Sequence, residues 1–173
     1  QNDRLTQVGP GTPMGELMRR YWIPIRPYAQ ILDEKVMAVR ILGEDLVLFK
    51  AKNGNLGLVG QICPHRNAQL KYGFPGEDGI RCCYHGWMFD GTGQCIDTPM
   101  EVPGGAFKDN IKITGYPVQE LGGLVWTYMG PEPTPLLPPW SLLVFPNALR
   151  QIGIAELDCN WLQCHENTGD PTH

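Results

Sequence analysis

Two short segments constrain this chain more than anything else in it. Cys63-Pro64-His65 is followed, after sixteen residues, by Cys82-Cys83-Tyr84-His85, which gives the pattern C-x-H-x16-C-x2-H. Each half offers one thiolate and one imidazole from a tight loop. A common zinc finger places both cysteines first and both histidines last. Here the order alternates. Two such loops, met at one end of a β sandwich, suit a [2Fe–2S] cluster with Cys63 and Cys82 on one iron and His65 and His85 on the other. Cys83 lies next to a ligand, but only Cys82 has the two-residue spacing to His85. A structural zinc ion on the same four side chains is the rival reading, and visible absorbance separates them because zinc has none.

The donor set carries a functional consequence. An oxidised two-iron, two-sulfide core has charge +2. Four thiolates would bring the site to −2, whereas two thiolates and two neutral imidazoles leave it at zero. An electron is added to a neutral site at lower cost than to a dianion. Clusters with this donor set span roughly −150 to +300 mV, against about −400 mV for plant-type all-cysteine centres. Each imidazole also keeps one ring nitrogen off the metal, which can hydrogen-bond outward and give an electron a way out.

The rest of the sequence supplies a β framework for those loops. Thr12 and Pro13 are a cap and first-turn pair, and they predict a short helix over residues 12–22 with Met14, Leu17, Met18 and Tyr21 as its apolar face. Residues 36–42 and 46–49 read as a hairpin about Gly43-Glu44-Asp45. Further strands are expected over 56–62, 81–83, 87–89, 111–116 and 124–128, with a turn at Asp90-Gly91-Thr92-Gly93. The 21 glycines and 16 prolines have no period, as expected of tight turns between short strands. Residues 130–139 hold five prolines and should be extended, either as a linker or as a wrap over the surface. Residues 151–157 read as a strand and 160–167 as a helix. This last stretch is too short to bury a core of its own, and it reads as the opening of a domain the sequence does not finish.

Composition excludes some partners. The net charge of −4, with scattered Lys and Arg, argues against nucleic acid. No apolar run reaches membrane-span length, and the first ten residues lack the apolar stretch of a secretory signal. A cytoplasmic setting is therefore expected, and the six cysteines point to metal ligation or burial, not a disulfide frame. Cys95, Cys159 and Cys164 are expected to be small buried residues. Trp87 is expected to pack in the core beside the second loop. Arg66 is either a surface charge or a brace to a carboxylate, and Gly73, Gly76 and Gly86 are expected at turns near the cluster.

The stretches CPHRNAQL and GIRCCYHGWMFDGTGQC resemble the Rieske domains of ring-hydroxylating non-haem iron oxygenases. LTQVGPGTPMGELMRRYW is similar to the opening of the phthalate-dioxygenase-like branch, and ELGGLVWTYMGPEP to the domain's closing strand. Two departures are visible: Asn67 stands where Gly is more usual, and Cys83 where Pro is more usual. Respiratory relatives carry a disulfide at positions matching Ala68 and Tyr84, so none is expected here. The resemblance implies a mainly β fold: a Rieske-type antiparallel β sandwich with a short N-terminal helix, plus the start of an α+β catalytic domain. The expected divisions are a helical lead-in (1–22), the Rieske domain (23–130), a Pro-rich linker (131–149) and the beginning of the catalytic domain (150–173).

It implies roles near the end of the sequence too. There D-x2-H matches Asp170 and His173. By that match His173 is the first ligand of a mononuclear Fe(II), and Asp170 is the carboxylate that joins the two metal sites. A second His and a carboxylate would follow later. Asn167 and His165 are given no ligand role. The implied protein is an oxygenase component. It receives electrons from an NAD(P)H-dependent reductase, directly or through a ferredoxin, and uses O2 to hydroxylate or demethylate an aromatic or similar compound. It is expected to be a homotrimer or a multiple of one. The alternative is a stand-alone Rieske ferredoxin, a pure carrier, which would need nothing beyond about Pro131.

Overall fold

The computed structural model describes residues 2–102 and 106–172. The chain begins with two short helices, α1 (Asp3–Thr6) and α2 (Pro13–Met18), then β1 (Trp22–Pro27) and α3 (Tyr28–Asp33). Next come β2 (Val36–Ile41), β3 (Glu44–Lys50), β4 (Leu56–Gly60), β5 (Phe74–Pro75), β6 (Ile80–Arg81), β7 (Met88–Phe89) and β8 (Cys95–Asp97). The last strands are β9 (Gly115–Tyr116), β10 (Val118–Leu121) and β11 (Leu124–Tyr128), and two helices follow, α4 (Ser141–Val144) and α5 (Trp161–Gly169). The fold is mainly antiparallel β, as expected. Its sheets run β1-β11-β10, β2-β3-β4-β9 and β5-β6-β7-β8.

β3 joins two cores. Leu46, Val47, Leu48 and Phe49 are all buried, and side chains alternate across a strand. Leu46 and Leu48 therefore enter one core, with Ile31, Val39, Leu58 and Val125. Val47 and Phe49 enter the other, with Leu70, Ile80, Phe89 and the two cysteines Cys63 and Cys82. The second core is the floor of the two Cys–His loops.

The hairpin between β2 and β3 is tighter than expected. Only Leu42 and Gly43 turn the chain, both with positive φ (45° and 81°), as a two-residue type I′ turn demands. Glu44 thus sits in β3 opposite Ile41, and not in the turn. There it meets Arg19. The Arg19 guanidinium donates to the carbonyls of Val8 and Leu42, both at 3.1 Å, and to Glu44 Oε1 at 2.7 Å. The Tyr116 hydroxyl donates to Glu44 Oε2 at 2.8 Å. Burial first, then the neighbouring carboxylate, hold that hydroxyl above its ordinary pKa.

This network corrects the reading of the first long helix. Thr12 does cap it, accepting from the Gly15 N–H at 3.2 Å, but the helix stops at Met18 and the chain turns into β1 at Trp22. Its buried side is not the predicted apolar face. Leu17 and Tyr21 are exposed, while Gly15 and Arg19 are buried. An internal cation holds the helix to the sheet. Glu44→Gln should leave that cation without a counter-charge and lower stability by roughly 3 kcal/mol or more. Urea melts of the two proteins would measure it, and a change below 1 kcal/mol would mean Arg19 is hydrated.

The Pro-rich segment is a wrap. Leu137 and Leu143 pack on Trp22, Trp126 and Tyr128, and the Trp22 indole donates to the Pro135 carbonyl at 2.9 Å. Residues 151–157 form no strand, contrary to expectation. α5 is capped by Asn160, whose side chain accepts from the Leu162 N–H at 3.1 Å, and it has no buried residue. It touches the rest of the chain at α1, where the Trp161 indole donates to the Leu5 carbonyl at 2.8 Å. Among the described residues no helix is long and apolar enough to cross a membrane.

Candidate metal centre

The two Cys–His segments fold into near-copies of one loop. In the first, the Cys63 N–H donates to the Ala68 carbonyl (2.9 Å) and the Asn67 N–H to the Cys63 carbonyl (3.0 Å). In the second, the Cys82 N–H donates to the Trp87 carbonyl (2.8 Å) and the Gly86 N–H to the Cys82 carbonyl (3.1 Å). Each loop closes on a residue of positive φ, Asn67 at 55° and Gly86 at 78°. Asn is the residue besides Gly that visits this region most readily, so it can stand where Gly is usual. The bases of the loops are the bridge Ile62↔Gln69 and the β6–β7 pair Arg81↔Met88. The loops' close approach explains two other glycines. A Cβ on Gly73 would come within 2.6 Å of the Arg81 carbonyl oxygen, and one on Gly76 within 2.3 Å of Met88 Sδ.

Between the loops lies a pocket lined by Cys63, His65, Cys82, His85, Trp87, Tyr84, Ala68 and Arg66. The thiols are at its floor, with Cys63 and Cys82 1% and 3% exposed. The imidazoles are partly exposed at its mouth, their centroids 4.5 Å apart. Burial pushes the Cys63 thiol up to about 11. The His65 backbone N–H pulls against that rise, and the adjacent Cys82 adds to it. A metal bound here would take the thiols as thiolates, releasing their protons. Two buried thiols on one side and two partly exposed imidazoles on the other fit the donor set of a group with two metal atoms. Such a cluster would supply reversible one-electron chemistry, with Cys63 and Cys82 holding its inner end and His65 and His85 its outer end.

Residues 21–119 match the family described as the Rieske [2Fe–2S] domain. The chain belongs to that family. The Rieske chain is 52% identical over 176 residues to the 5,5'-dehydrodivanillate O-demethylase oxygenase subunit of Sphingobium sp. (strain NBRC 103272 / SYK-6), covering 100% of this chain and 42% of that protein. It is 35% identical over 180 residues to the phthalate 4,5-dioxygenase oxygenase subunit of Pseudomonas putida, covering 100% of this chain and 40% of the relative. Among solved structures, an oxygenase–ferredoxin complex of carbazole 1,9a-dioxygenase matches with a TM-score of 0.59 and 30% identity, over 72% of this chain and 33% of that one. The Rieske chain thus spans less than half the length of these relatives.

Other readings around the Rieske site divide. Trp87 is buried as expected, but its ring also stacks on His65. Arg66 is exposed and makes no ion pair among the described residues. The brace is instead Arg81, which the sequence reading missed. It donates to the Gly86 carbonyl, closing the second loop, and pairs with Asp97 Oδ2 at 2.8 Å. All six cysteines are free. Cys95 is buried, as expected. Cys159 and Cys164 are exposed, contrary to expectation, with sulfurs 3.6 Å apart at the start of α5. His165 lies within α5, its ring 5.7 Å from Trp161. Asp170 follows α5 and is not among the residues lining the Rieske pocket. His173 lies outside the described residues.

Proposed function

We propose that this chain is the cluster-bearing part of a Rieske non-haem iron oxygenase, and that it passes single electrons from a reductase toward a mononuclear iron. The observation that carries the reading is the polarity of the pocket: thiols buried at its floor, imidazoles open at its mouth. Electrons enter and leave most readily on the imidazole side, where His65 and His85 present ring N–H groups to a partner. The thiol side is sealed by Val47, Phe49, Leu70 and Phe89, which would exclude water from a metal held by Cys63 and Cys82.

The relatives named above are oxygenase subunits, which supports this reading over a stand-alone carrier. The same reading makes residues 23–130 the Rieske domain, with 1–22 as lead-in, 131–149 as connecting wrap and 150–173 as the beginning of the catalytic domain. Asp170 then joins the two metal sites, and His173 is the first ligand of the second iron. The reductase would use NAD(P)H, directly or through a ferredoxin. The substrate would be a small aromatic or similar compound, oxidised with O2 in a cytoplasmic homotrimer or a multiple of one. The 52% identity to an O-demethylase subunit favours oxidative demethylation of an aromatic ether over ring dihydroxylation.

Two measurements test this. The purified protein should absorb visible light and, on reduction with dithionite, give the EPR signal of a reduced two-iron centre. A colourless protein holding zinc would overturn the cluster. The full-length protein with a reductase should then consume NAD(P)H and O2 only when an aromatic substrate is present. Reduction of the cluster with no oxygen uptake for any aromatic ether or acid would leave the carrier reading.

A further inference from the structure

The ligand set does not require the contact between Trp87 and His65, yet that contact is the closest to parallel of any ring pair in the domain. The two rings lie 4.5 Å apart at 4°. Trp87 belongs to the second loop and His65 to the first. The carbonyl of Trp87 also accepts the N–H of Cys82, so the residue is bonded to one ligand and stacked on another. It is 5% exposed, and Phe107 meets it edge-on at 5.8 Å. The other imidazole has different company. Tyr84 covers His85 at 3.9 Å with a 41° tilt, and Tyr84 is 63% exposed. One imidazole is therefore held by a buried indole and the other by a solvated phenol.

We propose that Trp87 is a positioning residue that holds the His65 ring in its ligand orientation and lowers the reduction potential of the cluster. The proposal rests on the ligand reading above. Two effects of the same sign support it. The face of an indole is electron-rich and attracts an electron-poor ring. An imidazole on iron is poorer in electrons when the cluster is oxidised than when it is reduced, so the stack favours the oxidised form. The indole also keeps water off the one face of His65 that it covers, while the rest of the ring stays partly exposed. Reduction takes the site from charge zero to −1, and water would favour the charged form. Removing the indole lifts both effects, and the potential should rise.

The test is a redox titration of the cluster-loaded protein and its variants, one electron per cluster supplied by dithionite. Trp87→Phe keeps a stacked ring with a weaker face, and Trp87→Leu removes it. The expected order of midpoint potential is wild type, then the Phe variant, then the Leu variant as highest. Tyr84→Leu, which changes a solvated contact on the other imidazole, should shift the potential less than Trp87→Leu. The iron–imidazole bands in resonance Raman should move in the Trp87→Leu protein. If that protein cannot hold a cluster, the Phe variant decides: a potential above wild type supports the proposal, and one equal or lower overturns it. A wild-type protein without a cluster would instead overturn the ligand reading beneath it. A wild-type cluster with all variants at one potential would overturn the role of Trp87 alone.

Discussion

His85→Cys should retain a cluster in part of the molecules and lower its potential by on the order of 100 mV or more. Exchanging a neutral imidazole for a thiolate takes the oxidised site from zero to −1. The gap between mixed-ligand centres, at roughly −150 to +300 mV, and all-cysteine plant-type centres, at about −400 mV, sets the scale for two such exchanges. The second loop should tolerate the change, because its hydrogen bonds come from the backbone of Cys82, Gly86 and Trp87 and not from the imidazole. Arg81 holds the Gly86 carbonyl regardless of what stands at position 85. A redox titration beside wild type measures the shift. An unchanged or higher potential would show that His85 is not bound to iron.

The parts of the fold legible in the sequence are those with local causes. Thr12 caps its helix because a side-chain oxygen before a helix has one obvious job. The run Leu46 to Phe49 reads as one arm of a hairpin, and the structure buries all four of its side chains. The ligand pattern was legible because metal chemistry restricts residue type and spacing together. What escaped depends on distant partners. Arg19 is not on the predicted apolar face, and its burial follows from Glu44 and the carbonyls of Val8 and Leu42, which no local pattern joins to it. The sheet under the cluster escaped in part because β5, β6 and β7 have two residues each, too few to carry a period. Arg81 and Asp97 meet only once that sheet exists.

The cysteines teach the same point. Six thiols look alike in a sequence, and spacing singled out Cys63 and Cys82. It said nothing about whether the others were buried. Cys95 faces the core from β8 and is covered. Cys159 and Cys164 flank the cap of a helix with no buried residue, so burial by residue type alone misplaced them. Trp87 marks the opposite limit. Core packing was the right reading of its environment, but which ring it packs on depends on two loops meeting.

Asp170→Asn in the full-length protein should keep both metals and the oligomeric state while losing turnover by on the order of 10- to 100-fold. Asp170 lies just beyond α5, and its Oδ1 accepts from the Thr172 N–H at 2.9 Å and hydroxyl at 2.7 Å. That Asx turn orients the carboxylate beyond the helix end. In the proposed homotrimer, subunits meeting head to tail would close as a ring, and the cluster of one chain would then work with the mononuclear iron of the next. Asp170 would hold His173 of its own chain and accept the free ring N–H of His85 from the neighbour. A carboxylate binds an imidazole N–H about twice as strongly as a neutral acceptor does. Asn keeps the size and the Thr172 turn but weakens those bonds. The electron path between the metals is then interrupted while each site stays intact. Single-turnover kinetics on pre-reduced enzyme measure the step directly. Slow oxidation of the cluster with iron content unchanged is the expected result, and oxidation at the wild-type rate would remove Asp170 from the path.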